Sequence, residues 1–220
     1  MFTWISRLSV ILAALFLAGC DEATGLPFAT EPGAASDGNG GRARTAMVKL
    51  AGGEILLAAP DGYCIDRRSV RFGRKAGFAV MARCDTLGVR GFFGAYDLAI
   101  ITIATQPALD SAALPTPAQV AGSAGSAGPL RVLAKSSRNG LSLVRLGGGT
   151  PPVDGVSDVY WRGAFVVNGH LVGVSLYAPE NSPVLRDEGA VLLREMAYRT
   201  RQASQRIKTE KTATGLHSND

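Results

Sequence analysis

The sequence contains few of the residues on which most enzyme and metal sites depend. Its 220 residues include two histidines, His170 and His217, and three cysteines. The motifs G-x-S-x-G and H-E-x-x-H and the phosphate-binding P-loop do not occur in it. We expect His170 to be solvated beside a hairpin turn, which argues against a Ser-His-Asp triad. The composition therefore predicts no catalytic residue, no bound metal and no cofactor.

Long apolar runs are also scarce, and the clearest one lies at the N-terminus. Arg7 precedes the run 8–17, which is shorter than the roughly 20 residues needed to span a bilayer. Residues 17–20 then read LAGC. This tetrapeptide resembles the lipobox of bacterial lipoproteins, which consists of a leucine, two small residues and an obligatory cysteine. An ordinary signal peptide with a chance cysteine, or an N-terminal core helix, is the alternative interpretation.

The resemblance to lipoproteins implies a location and an anchor. Residues 1–19 would be a signal peptide, and Cys20 would carry fatty acyl chains that hold the protein on a membrane. Asp21 is similar to the inner-membrane retention signal of enteric lipoproteins. We therefore expect a Gram-negative envelope protein that faces the periplasm, at the inner rather than the outer membrane. Residues 20–45 are predicted to be a flexible tether with a reach on the order of 25–30 Å.

The two remaining cysteines are predicted to form a disulfide. Export would leave Cys64 and Cys84 in an oxidising compartment, where an even number of cysteines favours pairing. Their surroundings, GYCID and ARCDT, are alike, since each strand-like run meets a cysteine that an acid soon follows. Two strand ends lying side by side would bring the sulfurs within bridging distance. Free thiols and a metal site are the alternatives, and the metal site lacks further ligands.

Periodicity predicts one domain over residues 46–208, followed by a disordered tail at 209–220. Its first strands form a hairpin about Gly52-Gly53, a pair that suits a primed turn. Thr116 is predicted to cap a short helix that has Pro117 at its first position. A helix after Pro183 closes the domain, with a helical apolar stripe at Leu192, Leu193, Met196, Ala197, Thr200 and Ile207.

The segment 159–177 carries the strongest local signal. Asn168-Gly169 is the preferred type I′ turn pair, and a two-residue loop sets the register of the flanking strands. This register places Phe165 opposite Val172 on a large, apolar face that should be core. The other face pairs Ala164 with Gly173 and Tyr160 with Tyr177. Small residues in its middle predict either close packing or a shallow groove.

The order of elements predicts the α+β class, in which an antiparallel sheet packs against a C-terminal helix. Together with the segment 59–66, APDGYCID, this order resembles the Mog1/PsbP-like fold. Members of that fold are mostly accessory or assembly factors without catalysis. The resemblance therefore implies a sandwich of that type and a non-enzymatic role.

Basic residues concentrate between the two predicted disulfide cysteines. They surround Phe72 and form the set Arg67, Arg68, Arg71, Arg74, Lys75 and Arg83. A disulfide at both ends would gather these charges on one constrained loop, where each cation adds about 1 kcal/mol near an anionic bilayer. A solvated hairpin tip is the alternative interpretation.

The sequence leaves three functions open. The net charge is +5, or 5 − 1 = +4 without Arg7, and an exported protein rarely meets nucleic acid. We first expect a non-enzymatic envelope binding or assembly module that contacts anionic lipid or an envelope protein. Its contact surfaces would be the six basic residues from Arg67 to Arg83 and the face at Tyr160 and Tyr177. The alternatives are a small-ligand hydrolase that uses Asp66 and Asp85, and a purely structural envelope protein.

Overall fold

An eight-stranded antiparallel sheet organises the protein. The computed structural model describes residues 44–87, 98–109, 113–125, 129–149 and 155–216. Eight strands form the sheet in the spatial order β1-β4-β5-β6-β10-β9-β8-β7, while β2 and β3 form a separate two-stranded hairpin. In chain order the elements are β1 Arg44–Thr45, β2 Met47–Leu50, β3 Ile55–Ala58, β4 Tyr63–Phe72, β5 Gly77–Arg83, β6 Ile100–Pro107, α1 Pro117–Gly122, β7 Arg131–Arg138, β8 Leu141–Gly147, β9 Tyr160–Val167, β10 His170–Tyr177 and α2 Asp187–Leu216.

The main core lies on one face of this sheet. Alternate strand residues such as Ile101, Ile103 and Phe165 are fully buried there. They pack against the β2–β3 hairpin and against α2, which contributes Leu193 and Met196. The observed class is therefore α+β with a large antiparallel sheet and a C-terminal helix, as the element order predicts.

Helix α2 presents the predicted stripe to the core. A 3-10 turn at Pro183–Leu185 precedes it, and the helix continues past Lys208 to Leu216, where the sequence pattern places a tail. Two of its hydroxyls, Thr200 and Ser204, are fully buried and contact the backbone of β3. The helix thus supplies hydrogen-bond partners to the edge of β3 that faces away from β2.

The β9–β10 hairpin has the predicted register. Val167 pairs with His170, Phe165 with Val172 and Ala164 with Gly173. Asn168 and Gly169 both have positive φ values, 48° and 75°, as a type I′ turn requires. The predicted large face is the core face, and the face of small residues is the opposite one.

Short helix α1 covers part of that opposite face. Thr116 caps it in a reciprocal capping box with Gln119, and Pro117 occupies its first turn. Val120 is the buried residue of the helix and packs with Val144 and Ala164 of the sheet. Because α1 has six residues, it covers β8 and β9 and leaves the middle of the face open.

Three local predictions differ from the structure. The first hairpin has a four-residue connection, 51–54, because Ala51 also takes a positive φ of 49°. The basic segment after Cys64 forms most of strand β4 instead of a loop. His170 is 7% exposed instead of solvated, because its side chain falls on the core face of β10; its Nδ1 lies 3.3 Å from Glu54 Oε2 and 3.1 Å from the Asn168 carbonyl oxygen.

Candidate functional site

The predicted cysteine pair forms a disulfide at the base of a β-hairpin. Cys64 and Cys84 are bonded, with their Cα atoms 4.9 Å apart. Cys64 lies opposite Ala82 in the ladder, and the Cys84 N–H donates to the Gly62 carbonyl at 3.0 Å. We name strands β4 and β5 with their connecting turn, residues 63–83, the basic hairpin. The disulfide fixes its base, and the tip, 73–76, begins nine residues after Cys64 and ends eight residues before Cys84.

A wide β-bulge turns part of the basic hairpin outward. Residues 67–70 stand opposite Ala79 alone, because the pairing passes from Asp66–Val80 to Arg71–Phe78. The Ser69 hydroxyl donates to the Asp66 carbonyl at 2.6 Å and accepts the Val80 N–H at 2.8 Å. The Ser69 hydroxyl thus takes the place of a backbone acceptor in the ladder, so specific hydrogen bonds stabilise the bulge.

The six predicted basic residues divide into two groups. Arg68 lies 3.1 Å from Asp66, Arg71 donates to the Arg68 carbonyl at 2.9 Å, and Arg83 lies 2.8 Å from Asp85 at the base. The remaining cations make no hydrogen bond or ion pair with any residue that the structure describes; they are Arg67, Arg74 and Lys75. Five of the six therefore lie on the bulge or towards the tip, while Arg83 lies apart from them.

An exposed aromatic side chain directly precedes the tip, which holds two of these three cations, Arg74 and Lys75. Phe72 is 74% exposed at the end of β4, and Phe78 across the turn is 37% exposed. Behind the tip, the Gly52 N–H donates to the Gly73 carbonyl at 3.1 Å, which ties the tip to the β2–β3 hairpin. The tip is therefore a supported surface that combines positive charge with exposed apolar area.

The described chain begins beside the basic hairpin. Strand β1 pairs Thr45 with Ile65 and Arg44 with Asp66. Because the two strands are antiparallel, following β1 backwards from Thr45 leads along β4 towards the tip. The chain thus enters the sheet at Arg44, which pairs with Asp66, the residue before Arg67.

The two aspartates proposed as an acid pair are each held by an arginine. Asp66 faces Arg68, and Asp85 faces Arg83. Hydrogen bonding from Arg83 lowers the pKa of the Asp85 carboxyl. General acid catalysis requires a carboxyl whose pKa is raised, so this arrangement gives the hydrolase hypothesis no support.

The second predicted surface, at Tyr160 and Tyr177, lies on the other side of β6 from the basic hairpin. Their rings stack with centroids 5.3 Å apart. Burial raises the pKa of Tyr160, and the neighbouring Tyr177 adds to the effect, while Arg162 opposes it. The structure therefore does not bring the tyrosines and the basic residues into one site.

A groove opens beside this tyrosine pair, between α1 and strand β6. Its volume is about 530 Å³, within the range of small-ligand sites. Gly173, Ala104 and Ala164 are among its lining residues, and Arg162 also lines it. The small residues predicted the open face, whereas α1 and the segments 107–109 and 113–115, which the sequence reading did not assign to the site, complete its walls.

Two further properties hold for the described residues. None of the helices in these ranges is long and apolar enough to cross a bilayer. Nor do three or more His, Cys, Asp or Glu side chains gather there in a geometry that could hold a metal ion.

Comparisons with protein-family models, curated proteins and solved structures found no match for this chain. The fold thus defines the class, an α+β domain with a disulfide-closed hairpin.

Proposed function

We propose that this protein is a bacterial envelope lipoprotein that acts as a non-enzymatic binding or assembly module. In this proposal residues 1–19 direct export, Cys20 carries the acyl anchor, and the chain from Cys20 to the start of β1 at Arg44 tethers the domain in the periplasm. Asp21 favours the inner membrane over the outer one. The sequence LAGC at 17–20 supports the anchor, and the Cys64–Cys84 disulfide supports an oxidising compartment.

The proposed contact is between the basic hairpin and anionic lipid headgroups. One observation carries it: Arg74 and Lys75 at the tip follow the exposed Phe72, Arg67 stands on the adjoining bulge, and none of the three cations has a partner among the described residues. Each such cation contributes about 1 kcal/mol near an anionic surface, and an exposed aromatic ring adds burial at the headgroup level. The entry of the chain beside Arg67 supports the same orientation, because an upstream anchor would bring this edge towards the bilayer.

We also propose that the domain has the Mog1/PsbP-like fold. A strand hairpin, β9–β10, is followed by the long closing helix α2, as in the Mog1/PsbP-like fold. The two-stranded β2–β3 layer beside α2 suits a sandwich of that type. A relation to that fold would favour an accessory role in an envelope assembly.

Vesicle binding tests the proposed contact. The chain from Asp21 onward, which lacks the anchor, is mixed with phosphatidylglycerol-containing vesicles or with pure phosphatidylcholine vesicles, and sedimentation gives the partition coefficient. Replacing Arg67, Arg74 and Lys75 by alanine should remove roughly 3 kcal/mol, which is about 150-fold in partitioning onto the anionic vesicles. Added salt should also lower the partition coefficient of the unmodified chain, because it screens the charges.

Strand β7 offers a matched control, because it lies at the opposite edge of the same sheet. Its exposed cations Arg131, Lys135 and Arg138 carry the same total charge as the three hairpin cations. Their replacement by alanine should change partitioning by less than about tenfold, through net charge alone. Equal losses in the two triple variants, or no binding by the unmodified chain, would reject the hairpin as the contact surface.

A further inference from the structure

A glycine in the middle of the sheet has no structural reason to be glycine. Gly173 lies inside β10, one of the central strands, and its φ is outside the left-handed region. A β-carbon added there would meet only the Ala104 carbonyl oxygen, at 3.8 Å. Gly163 in the neighbouring strand differs, since its β-carbon would lie 2.5 Å from Leu143 Cδ2. An unforced glycine within a strand often marks a place where another molecule approaches the backbone.

The space above Gly173 is the groove beside α1. Its described lining is mainly apolar, and the apolar side chains include Leu114, Val120 and Leu171. Leu109, which also lines the groove, is fully exposed. The groove volume of about 530 Å³ suits one narrow ligand.

One cation in the groove has no charged partner among the described residues. Arg162 is half-buried, and its Nη2 donates to the Ser123 carbonyl at 3.0 Å. No carboxylate of the described chain lies within ion-pair distance of it. This is its one hydrogen bond with a described residue, so further guanidinium N–H donors remain, and a guanidinium can bind a carboxylate through two parallel hydrogen bonds.

We propose that this groove binds a single-chain amphiphile with an anionic head, a long-chain alkyl carboxylate. The alkyl chain lies over Gly173 and Ala104 and against Val120 of α1. The carboxylate pairs with Arg162. No described lining residue belongs to the basic hairpin, whose Phe78 lies opposite Ala104 in the ladder, and the proposal does not depend on whether the hairpin contacts lipid.

Photolabelling of the full chain tests the proposal. Membranes of cells that express the protein are incubated with a diazirine-bearing hexadecanoate or with the matching alcohol, irradiated, and the labelled residues are mapped by mass spectrometry. We expect the carboxylate probe to label the strand β6 and α1 walls of the groove. Arg162→Gln should reduce this labelling about tenfold towards the level of the alcohol probe.

Filling the groove provides the second arm. Gly173→Leu should abolish labelling and Gly173→Ala should weaken it, because a side chain at this position takes space that the alkyl chain occupies. Ala104→Leu blocks the same space from the exposed face of β6, and it serves if Gly173→Leu does not fold. Thr102→Leu, on the same face but outside the groove lining, is the control and should label like the unmodified chain. Undiminished labelling in both groove-filling variants, or equal labelling by the two probes, would overturn the proposal.

Discussion

Two buried hydroxyls on α2 should contribute measurably to stability, because they complete the hydrogen bonding of β3. Thr200 Oγ1 accepts the Ala58 N–H at 3.2 Å, and Ser204 Oγ accepts the Leu56 N–H at 3.0 Å. Thr200→Val keeps the side-chain shape and has a similar helix propensity, so it removes mainly the hydroxyl, which also donates to the Ala58 carbonyl at 3.4 Å. The buried Ala58 N–H then lacks a partner, which costs about 1–3 kcal/mol.

Adding Ser204→Ala removes the second acceptor, and the double variant should lose roughly 2–6 kcal/mol. Such a loss is a large fraction of the 5–15 kcal/mol typical of a folded domain. Urea denaturation gives the free energy of unfolding, and its m-value should not change. Thr209→Val on the exposed side of the same helix is the control, expected within about 0.5 kcal/mol. A loss below about 0.5 kcal/mol for Thr200→Val, or an equal loss in the control, would refute the reasoning.

Three other contacts give predictions with their own measurements. Replacing Cys64 and Cys84 by alanine should cost roughly 3 kcal/mol in urea unfolding, because the disulfide closes a 20-residue separation; reducing the unmodified protein should give the same loss. Gly173→Ala should raise the melting temperature and add about 0.5–1 kcal/mol, because alanine restricts the unfolded chain without a clash. Arg83 lowers the pKa of Asp85, so their contact stabilises the fold at pH values above the ordinary carboxyl pKa. This stabilisation is lost as the pH falls through the pKa of Asp85 in the folded state. In an NMR titration, Arg83→Gln should raise the pKa of Asp85.

The elements set by local chemistry were predictable from the sequence. Asn168-Gly169 fixes both the turn type and the register, so every cross-strand pair of β9–β10 follows from it. The capping box at Thr116 likewise needs residues only three positions apart. The disulfide was also predictable, because the similar contexts of Cys64 and Cys84 indicate adjacent strand ends.

Elements that depend on distant contacts were not predictable in the same way. The bulge at 67–70 breaks the period-two pattern of β4, so charged residues there resemble a loop in sequence. His170 contacts Glu54, which belongs to a turn more than 100 residues earlier. The β2–β3 hairpin stands apart from the sheet because its free edge is satisfied by hydroxyls of α2, which no local signal indicates.

The two candidate sites differ in the same respect. Five of the six basic residues lie within positions 67–75, so their grouping was predictable, whereas the separation of Arg83 from them depends on the hairpin geometry. The groove needs Gly173 from one strand, Ala104 from another and Val120 from α1. Small residues indicated an open face, but only the fold shows that α1 makes it a groove.

Hydrogen exchange on the full lipid-anchored chain tests the central claim most directly. The protein is placed in nanodiscs that contain either phosphatidylglycerol or phosphatidylcholine alone, and exchange is followed by mass spectrometry. The proposed contact predicts slower exchange at the basic hairpin tip, 73–76, in the anionic discs only, with β7 exchanging alike in both. Identical exchange of the tip in the two lipids, or protection of β7 instead, would contradict it.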